Sequence, residues 1–200
     1  MTTVIPAKRY YFYHKGYPLS PEEQAKDLAQ VVAQHTERKV PEELQPACDE
    51  NPRKLFQVFL ESRGRTFNVD YYKMLSQSLV DIITRMKKYY DRPRPAELAK
   101  SMGIDFGGDY LDSAQTPSYP SGHTIQAYVV AKMLGDQFPE HEEDLLAIAE
   151  IISQSRIDRG VHFPTDIEYG REVADSLYEQ IKEGLGGETP SYKLVYDQEN

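Results

Sequence analysis

Residues 120–137 read PSGHTIQAYVVAKMLGDQ. Ile125, Tyr128, Val129 and Met133 recur at three- and four-residue steps, the spacing that lines one face of an α-helix. Pro120-Ser121-Gly122 stands directly before them, so a helix is predicted over about 122–137 with His123 in its first turn. The same period runs outward in both directions. Upstream, Tyr72, Leu75, Leu79, Ile82, Ile83 and Met86 predict one long helix over about 68–90, stopped by the DRPRP of 91–95. Downstream, helices are expected at about 141–157 and 165–183.

Nearer the start, LSPEEQ (19–24) is a helix entry, with Ser20 as N-cap, Pro21 in the first turn and Glu23 closing a capping box. Leu28, Val31 and Val32 give that helix a short apolar face before Pro41. A further helix is expected after Asn51-Pro52, with Leu55, Phe56, Phe59 and Leu60 on one side and Gly64 as its stop. Residues 91–119, with Gly103, Gly107, Gly108 and Pro117, read as loop. Alternating β-branched runs are nearly absent, so the expected class is all-α. The expected organisation is one helical domain over 1–184, including an irregular Tyr-rich arm at 1–18, followed by a peripheral or flexible tail at 185–200.

Composition bounds the function. Apolar residues are 40% and charged residues 28% of the 200, a soluble globular profile. The longest apolar stretches, IQAYVVA and LLAIAEII, fall far short of the ~18 residues of a membrane span. The first residues show no sustained apolar h-region. The single cysteine, Cys48, excludes an internal disulfide and a Cys-rich metal site. A cytoplasmic setting is therefore expected, with a periplasmic or secreted one if the chain is a processed form. The net charge of −9, from 23 Lys and Arg against 32 Asp and Glu, argues against a nucleic-acid polymer as partner. It leaves a small anionic substrate open, because exposed charges are screened beyond a Debye length.

Three segments bear chemistry. In KKYYDRPRP (87–95), Lys87 sits in the last helical turn and Arg94 between two prolines that stiffen its backbone. In YPSGHT (119–124), a helix start presents free N–H groups to an anion, Gly122 lets the anion approach, and Ser121 adds a hydroxyl. In SQSRIDRGVHFPTD (153–166), Arg156 ends a helix, His162 follows in a turn, and Asp166 lies four residues beyond. A carboxylate there fixes the imidazole tautomer and leaves the other nitrogen free to attack. Each fragment also has an ordinary reading. Basic residues suit helix C-termini, Ser121 is a plain N-cap, and Arg156 has Asp158 or Glu150 as nearby ion partners. Together they supply three cations, an anion seat, two histidines and an orienting carboxylate, the parts for phosphoryl transfer by positioning and charge stabilisation.

Taken in order, Lys87–Arg94-Pro95, Pro120-Ser121-Gly122-His123, then Ser155-Arg156, His162 and Asp166 resemble the signature of the phosphatidic acid phosphatase type 2 and vanadium haloperoxidase superfamily. Arg94 rather than Arg92 fits the spacing, because six residues before Arg94 stands Lys87, whereas Arg92 pairs back to Arg85. In size the chain is most similar to the soluble bacterial class A non-specific acid phosphatases.

The resemblance implies an all-helical bundle that hydrolyses phosphomonoesters, and pyrophosphate bonds as a further option, on a small phosphorylated substrate. It implies attack by His162 to give a phosphohistidine, with Asp166 orienting it and His123 as acid and then base. Lys87, Arg94, Arg156, Ser121 and Gly122 would hold the phosphate, with no metal and no cofactor; vanadate would act as a phosphate mimic. It is compatible with a homo-oligomer.

Two rivals use the same pocket: a haloperoxidase with vanadate as prosthetic group, and a helical module that binds an anion without turnover. His14, His35 and His141 belong to no motif. Asp105, Asp109 and Asp112 do not have the spacing of an EF-hand and read as solvated loop acids.

Overall fold

Ser20 and Glu23 open the first helix reciprocally. Ser20 Oγ accepts the Glu23 N–H at 3.2 Å, and the Glu23 carboxylate accepts the Ser20 N–H at 2.7 Å. The computed structural model describes residues 19–185, so the expectations for the 1–18 arm and for the tail beyond Leu185 lie outside the described residues. Along this span run α1 (Pro21–Glu37), α2 (Gln45–Glu50), α3 (Arg53–Ser62), α4 (Val69–Ser78) and α5 (Val80–Tyr90). They are followed by α6 (Pro95–Ser101), α7 (Gly122–Gln137), α8 (Glu142–Asp158) and α9 (Pro164–Leu185). No strand occurs among the described residues, and the class is all-α. No helix among them is long and apolar enough to cross a membrane.

The centre of the fold is α7, which packs along both α8 and α9. Its apolar residues do not stay on one face: Ile125, Val129, Val130, Ala131 and Leu134 are all buried, as a helix flanked on several sides requires. A second apolar cluster gathers Leu28 and Val31 of α1, Ala99 of α6, Ile157 of α8, and Phe163 and Ile167 at the start of α9. It therefore sits beneath the α8–α9 turn, the turn that holds His162.

Two expectations need correction. The long helix over 68–90 is two helices, α4 and α5, meeting at Leu79. Ser78 Oγ donates to the Leu75 carbonyl at 2.7 Å, the acceptor the Leu79 N–H would use in a continuous helix, and Leu79 N–H turns to Ser76 O instead. Ser76 Oγ likewise donates back to Tyr72 O at 2.9 Å. Such back-bonding serines bend helices. The loop expected over 91–119 contains α6, started by Pro95 at its first position and by the Glu97 carboxylate accepting the Arg94 N–H at 2.9 Å. The short α2 was also unforeseen.

Residues 103–111 then press on the α8–α9 turn. Gly108 (φ +64°) faces Gly160 (φ +69°) so closely that a Cβ on Gly108 would lie 2.7 Å from Gly160 O. The Asp109 N–H donates to Arg159 O at 2.8 Å alongside. Only glycine combines this backbone conformation with this approach.

Candidate active site

His162, 2% exposed, lies in the turn between α8 and α9. Its Nδ1 is 2.9 Å from Asp166 Oδ2, which also accepts the Phe163 N–H at 2.9 Å. A carboxylate only accepts, so Nδ1 bears the proton and Nε2 the lone pair. The far side agrees: Arg94 Nη1, a donor, stands 3.0 Å from Nε2. Burial, then Arg94, Lys87 and Arg156, push the imidazole well below its ordinary pKa, so it stays neutral in acid solution.

Asp166 is anchored from behind. Its Oδ1 accepts Arg92 Nη1 at 2.6 Å, and Arg92 Nη2 reaches Asp27 of α1 at 2.8 Å. Arg92 also donates to Thr165 Oγ1 at 2.8 Å, and Thr165 donates to Asp27. The Arg92 guanidinium lies 3.8 Å over the Phe163 ring. A chain of buried charges thus runs from α1 to His162.

Three cations gather on the other side. Lys87 Nζ, in the last turn of α5, donates to Pro117 O at 2.6 Å and Ser118 O at 3.2 Å. Arg94 Nε donates to Thr116 O and Nη1 to Val161 O, both at 2.7 Å. Arg156, 0% exposed, donates from Nη1 to Asp49 Oδ1 at 2.5 Å and from Nη2 to Ser113 Oγ at 2.9 Å, while its buried Nε has no partner. Burial and the neighbouring Arg94 push Lys87 down to about 7, and burial pushes Arg94 down to about 10. Most of these cationic donors end on neutral carbonyls, so the cluster favours an anion strongly.

The start of α7 completes the site. Ser121 Oγ caps the helix, accepting Thr124 Oγ1 at 2.9 Å and the Thr124 N–H at 3.4 Å. The Ser121 N–H donates to Asp166 O at 3.1 Å, tying the start of α7 to that of α9. A Cβ on Gly122 would meet Ile83 Cγ2 at 3.3 Å and Lys87 Cε at 3.9 Å, so this glycine seats the helix start against α5 beside Lys87. His123 Nε2 is 3.0 Å from Asp49 O and 3.7 Å from Asp49 Oδ1. Burial and the Arg156 guanidinium push His123 down to about 3.

The structure thus brings Lys87, Arg94, Ser121, Gly122, His123, Arg156, His162 and Asp166 to one end of the bundle, from four helix ends and a turn. Sequence reasoning missed Asp27, Arg92, Asp49 and Ser113. Arg92 carried a signal in the repeated Arg-Pro of DRPRP, but the six-residue spacing pointed past it. Asp49 and Ser113 carried none. The neighbours weighed for Arg156 are otherwise engaged. Asp158 accepts from Gln34, Gln45 and the Val40 N–H, and Glu150 from Arg171 and Tyr128.

Asp109 pairs with Arg38 at 3.1 Å and with Arg159. Among the described residues no three His, Cys, Asp or Glu side chains converge as a metal-ligand set. A cavity of about 260 Å³ opens beside Arg94 and Val161, rimmed by Glu97, Gln115 and the 79%-exposed Tyr110. Tyr90 and Tyr119, in contrast, pack with Tyr169 in the core, Tyr119 and Tyr169 stacked at 4.6 Å.

Comparison with known proteins agrees with this geometry. The family model described as PAP2 superfamily matches residues 69–174. An acid phosphatase of Zymomonas mobilis subsp. mobilis is 33% identical over 94 residues, 47% of this chain and 35% of that protein. A non-specific acid phosphatase of Salmonella typhimurium is 34% identical over 87 residues, 44% of this chain and 34% of that protein. The aligned segments span about a third of these relatives' own length. The crystal structure of a transmembrane PAP2-type phosphatidylglycerolphosphate phosphatase from Bacillus subtilis superposes with a TM-score of 0.57 at 20% identity, covering 84% of this chain and 88% of that one. That likeness concerns the fold.

Proposed function

The chain belongs to the PAP2 superfamily, and on that premise we propose that it is a phosphatase that hydrolyses phosphomonoesters through a phosphohistidine on His162, without a metal ion. The observation that supports this most directly is the imidazole itself. It is buried and neutral, with its proton held at Nδ1 by Asp166 and its lone pair at Nε2 facing the cation of Arg94.

In the first step Nε2 attacks phosphorus, the N–P bond forms, and the ester P–O bond breaks with its electron pair leaving on oxygen. His123 gives that oxygen a proton. Positive charge growing on His162 is met by Asp166, which Arg92 and the Phe163 N–H hold in place. Lys87, Arg94, Arg156, the Ser121 hydroxyl and the Gly122 N–H would surround the three equatorial oxygens, where charge is greatest in the transition state.

The carbonyls of Thr116, Pro117 and Ser118 already hold Lys87 and Arg94 in position. A phosphate dianion is the stronger acceptor and would take those donors with little reorganisation. In the second step His123 accepts a proton from water, the oxygen attacks phosphorus, and the N–P bond breaks to return neutral His162. Vanadate, as a trigonal-bipyramidal mimic, would inhibit.

The test is turnover of a chromogenic aryl phosphate in EDTA at acid to neutral pH, by wild type and His162→Ala, with acid quenching to trap the phosphoenzyme. Turnover and an acid-labile phosphohistidine in wild type alone are expected. Equal rates in the two proteins would remove His162 from the chemistry.

A further inference from the structure

Asp49, in the last turn of α2, reaches two parts of the site at once. Its Oδ1 accepts Arg156 Nη1 at 2.5 Å and Ser113 Oγ at 2.5 Å, and the Ser113 oxygen accepts Arg156 Nη2 at 2.9 Å. Its main-chain oxygen lies 3.0 Å from His123 Nε2, with the carboxylate 3.7 Å from the same nitrogen. A carbonyl oxygen only accepts, so Nε2 bears a proton and donates it inward. Nδ1, which makes no hydrogen bond to the described residues, is the ring atom left for substrate.

The charges facing His123 come from three helices. Arg156 of α8 and Lys87 of α5 oppose a proton on the ring, and Asp49 of α2 favours one. Yet the phosphatase reading requires His123 to be protonated when the leaving group departs.

We propose that Asp49 is the positioning residue of the proton donor: its main-chain oxygen fixes His123 with Nδ1 toward the leaving-group oxygen, and its carboxylate supplies the negative charge that an imidazolium beside two cations needs. This rests on the phosphatase reading and extends it to a residue outside the three sequence motifs. The proton moves from His123 Nδ1 to the leaving oxygen as the P–O bond breaks, and is replaced from the water that later attacks the phosphohistidine. By pairing with Arg156, the same carboxylate also offsets the cation nearest the ring.

The reaction offers a readout that a purely structural role would not move. A dinitrophenolate leaves without a proton, whereas an alkoxide needs one. We would measure kcat/KM, which reports steps up to loss of the leaving group, for dinitrophenyl phosphate and an alkyl phosphate. The comparison is between wild type and Asp49→Asn, whose shape is nearly unchanged.

The expected result is a loss of about tenfold or more on the alkyl ester and within about threefold on the dinitrophenyl ester, part of the range general acid catalysis contributes. Equal loss on both esters would confine Asp49 to the fold or to Arg156 and overturn the proposal. A gain on both would make Asp49 a competitor of phosphate for Arg156 and overturn it too. Should Asp49→Asn fail to fold by circular dichroism, Ser113→Ala, which removes the hydroxyl donating to the carboxylate, is expected to show the same selective loss. Its absence there would also overturn the proposal. Wild type inactive on both esters would instead sink the phosphatase reading, and this proposal with it.

Discussion

Lys87 is a buried ammonium whose neighbours do not favour its charge. Burial and Arg94 hold it near 7, far below an ordinary lysine, because two neutral carbonyls are its only printed acceptors and a guanidinium stands close by. A lowered lysine pKa means the cation is complete below that value and is lost as pH rises through it. The free enzyme should therefore lose phosphate affinity, and kcat/KM should fall, above about pH 7. Substituting Lys87→Arg, whose charge persists at any working pH, should move that limb to higher pH even if it lowers the maximum. A pH profile of kcat/KM for both proteins checks this, and an unmoved limb would assign it to another group. His162 contributes no acid limb of the usual kind, since burial and three cations keep it neutral well below its ordinary range.

Among the elements, the turn between α8 and α9 bears the greatest demand. It must place His162 four residues before Asp166, and it is pressed by the 103–111 segment at the Gly108–Gly160 crossing. Gly108→Ala would put a methyl 2.7 Å from Gly160 O at a backbone φ of +64°, which alanine disfavours. A loss of about 1–3 kcal/mol is expected from the conformation and the contact together. It should appear as a lower Tm, along with a fall in kcat as the turn shifts. Gly64 (φ +69°), which has open space around it and lies far along the chain from the site, serves as the comparison. There Gly64→Ala should lower Tm by the conformational cost alone and leave kcat unchanged. Similar kcat losses in both variants would mean that the crossing does not set the geometry of His162.

Across the whole molecule, the site is assembled from chain segments that only the packed bundle brings together. Asp27 on α1 holds Arg92, which holds Asp166, which holds His162. The chain is anchored by the apolar cluster that packs α1 under the α8–α9 turn. Removing one partner of a buried ion pair costs far more than the pair's net worth, because the remaining charge stays buried. Asp27→Ala should therefore destabilise the protein by about 3 kcal/mol, measured by denaturant unfolding. It should also lower kcat although the residue touches no substrate. A variant with stability within error of wild type would show that solvent or another group takes the place of the carboxylate.

The sequence by itself determined the helices with strong periodicity and a marked start. Ser20 with Glu23 opens α1, the Ile125–Met133 spacing gives α7, and α8 and α9 fall where the pattern puts them. It also marked the eight residues that converge at one end, because the motif spacing places each at a helix end or turn, where N–H groups and cation side chains are naturally exposed. Local signals were misread where a side chain competes for the backbone, as Ser78 does at Leu79, or where a helix is short, as in α6 with its Pro95 and Glu97. Tertiary structure alone decided the partners. Arg156 meets Asp49 across 107 residues and Arg92 meets Asp27 across 65, separations no period in the chain encodes. Those pairings follow from how α1 and α2 dock on the bundle. In a buried site the charge left without a partner is so costly that docking, rather than proximity in sequence, selects which carboxylate each arginine receives.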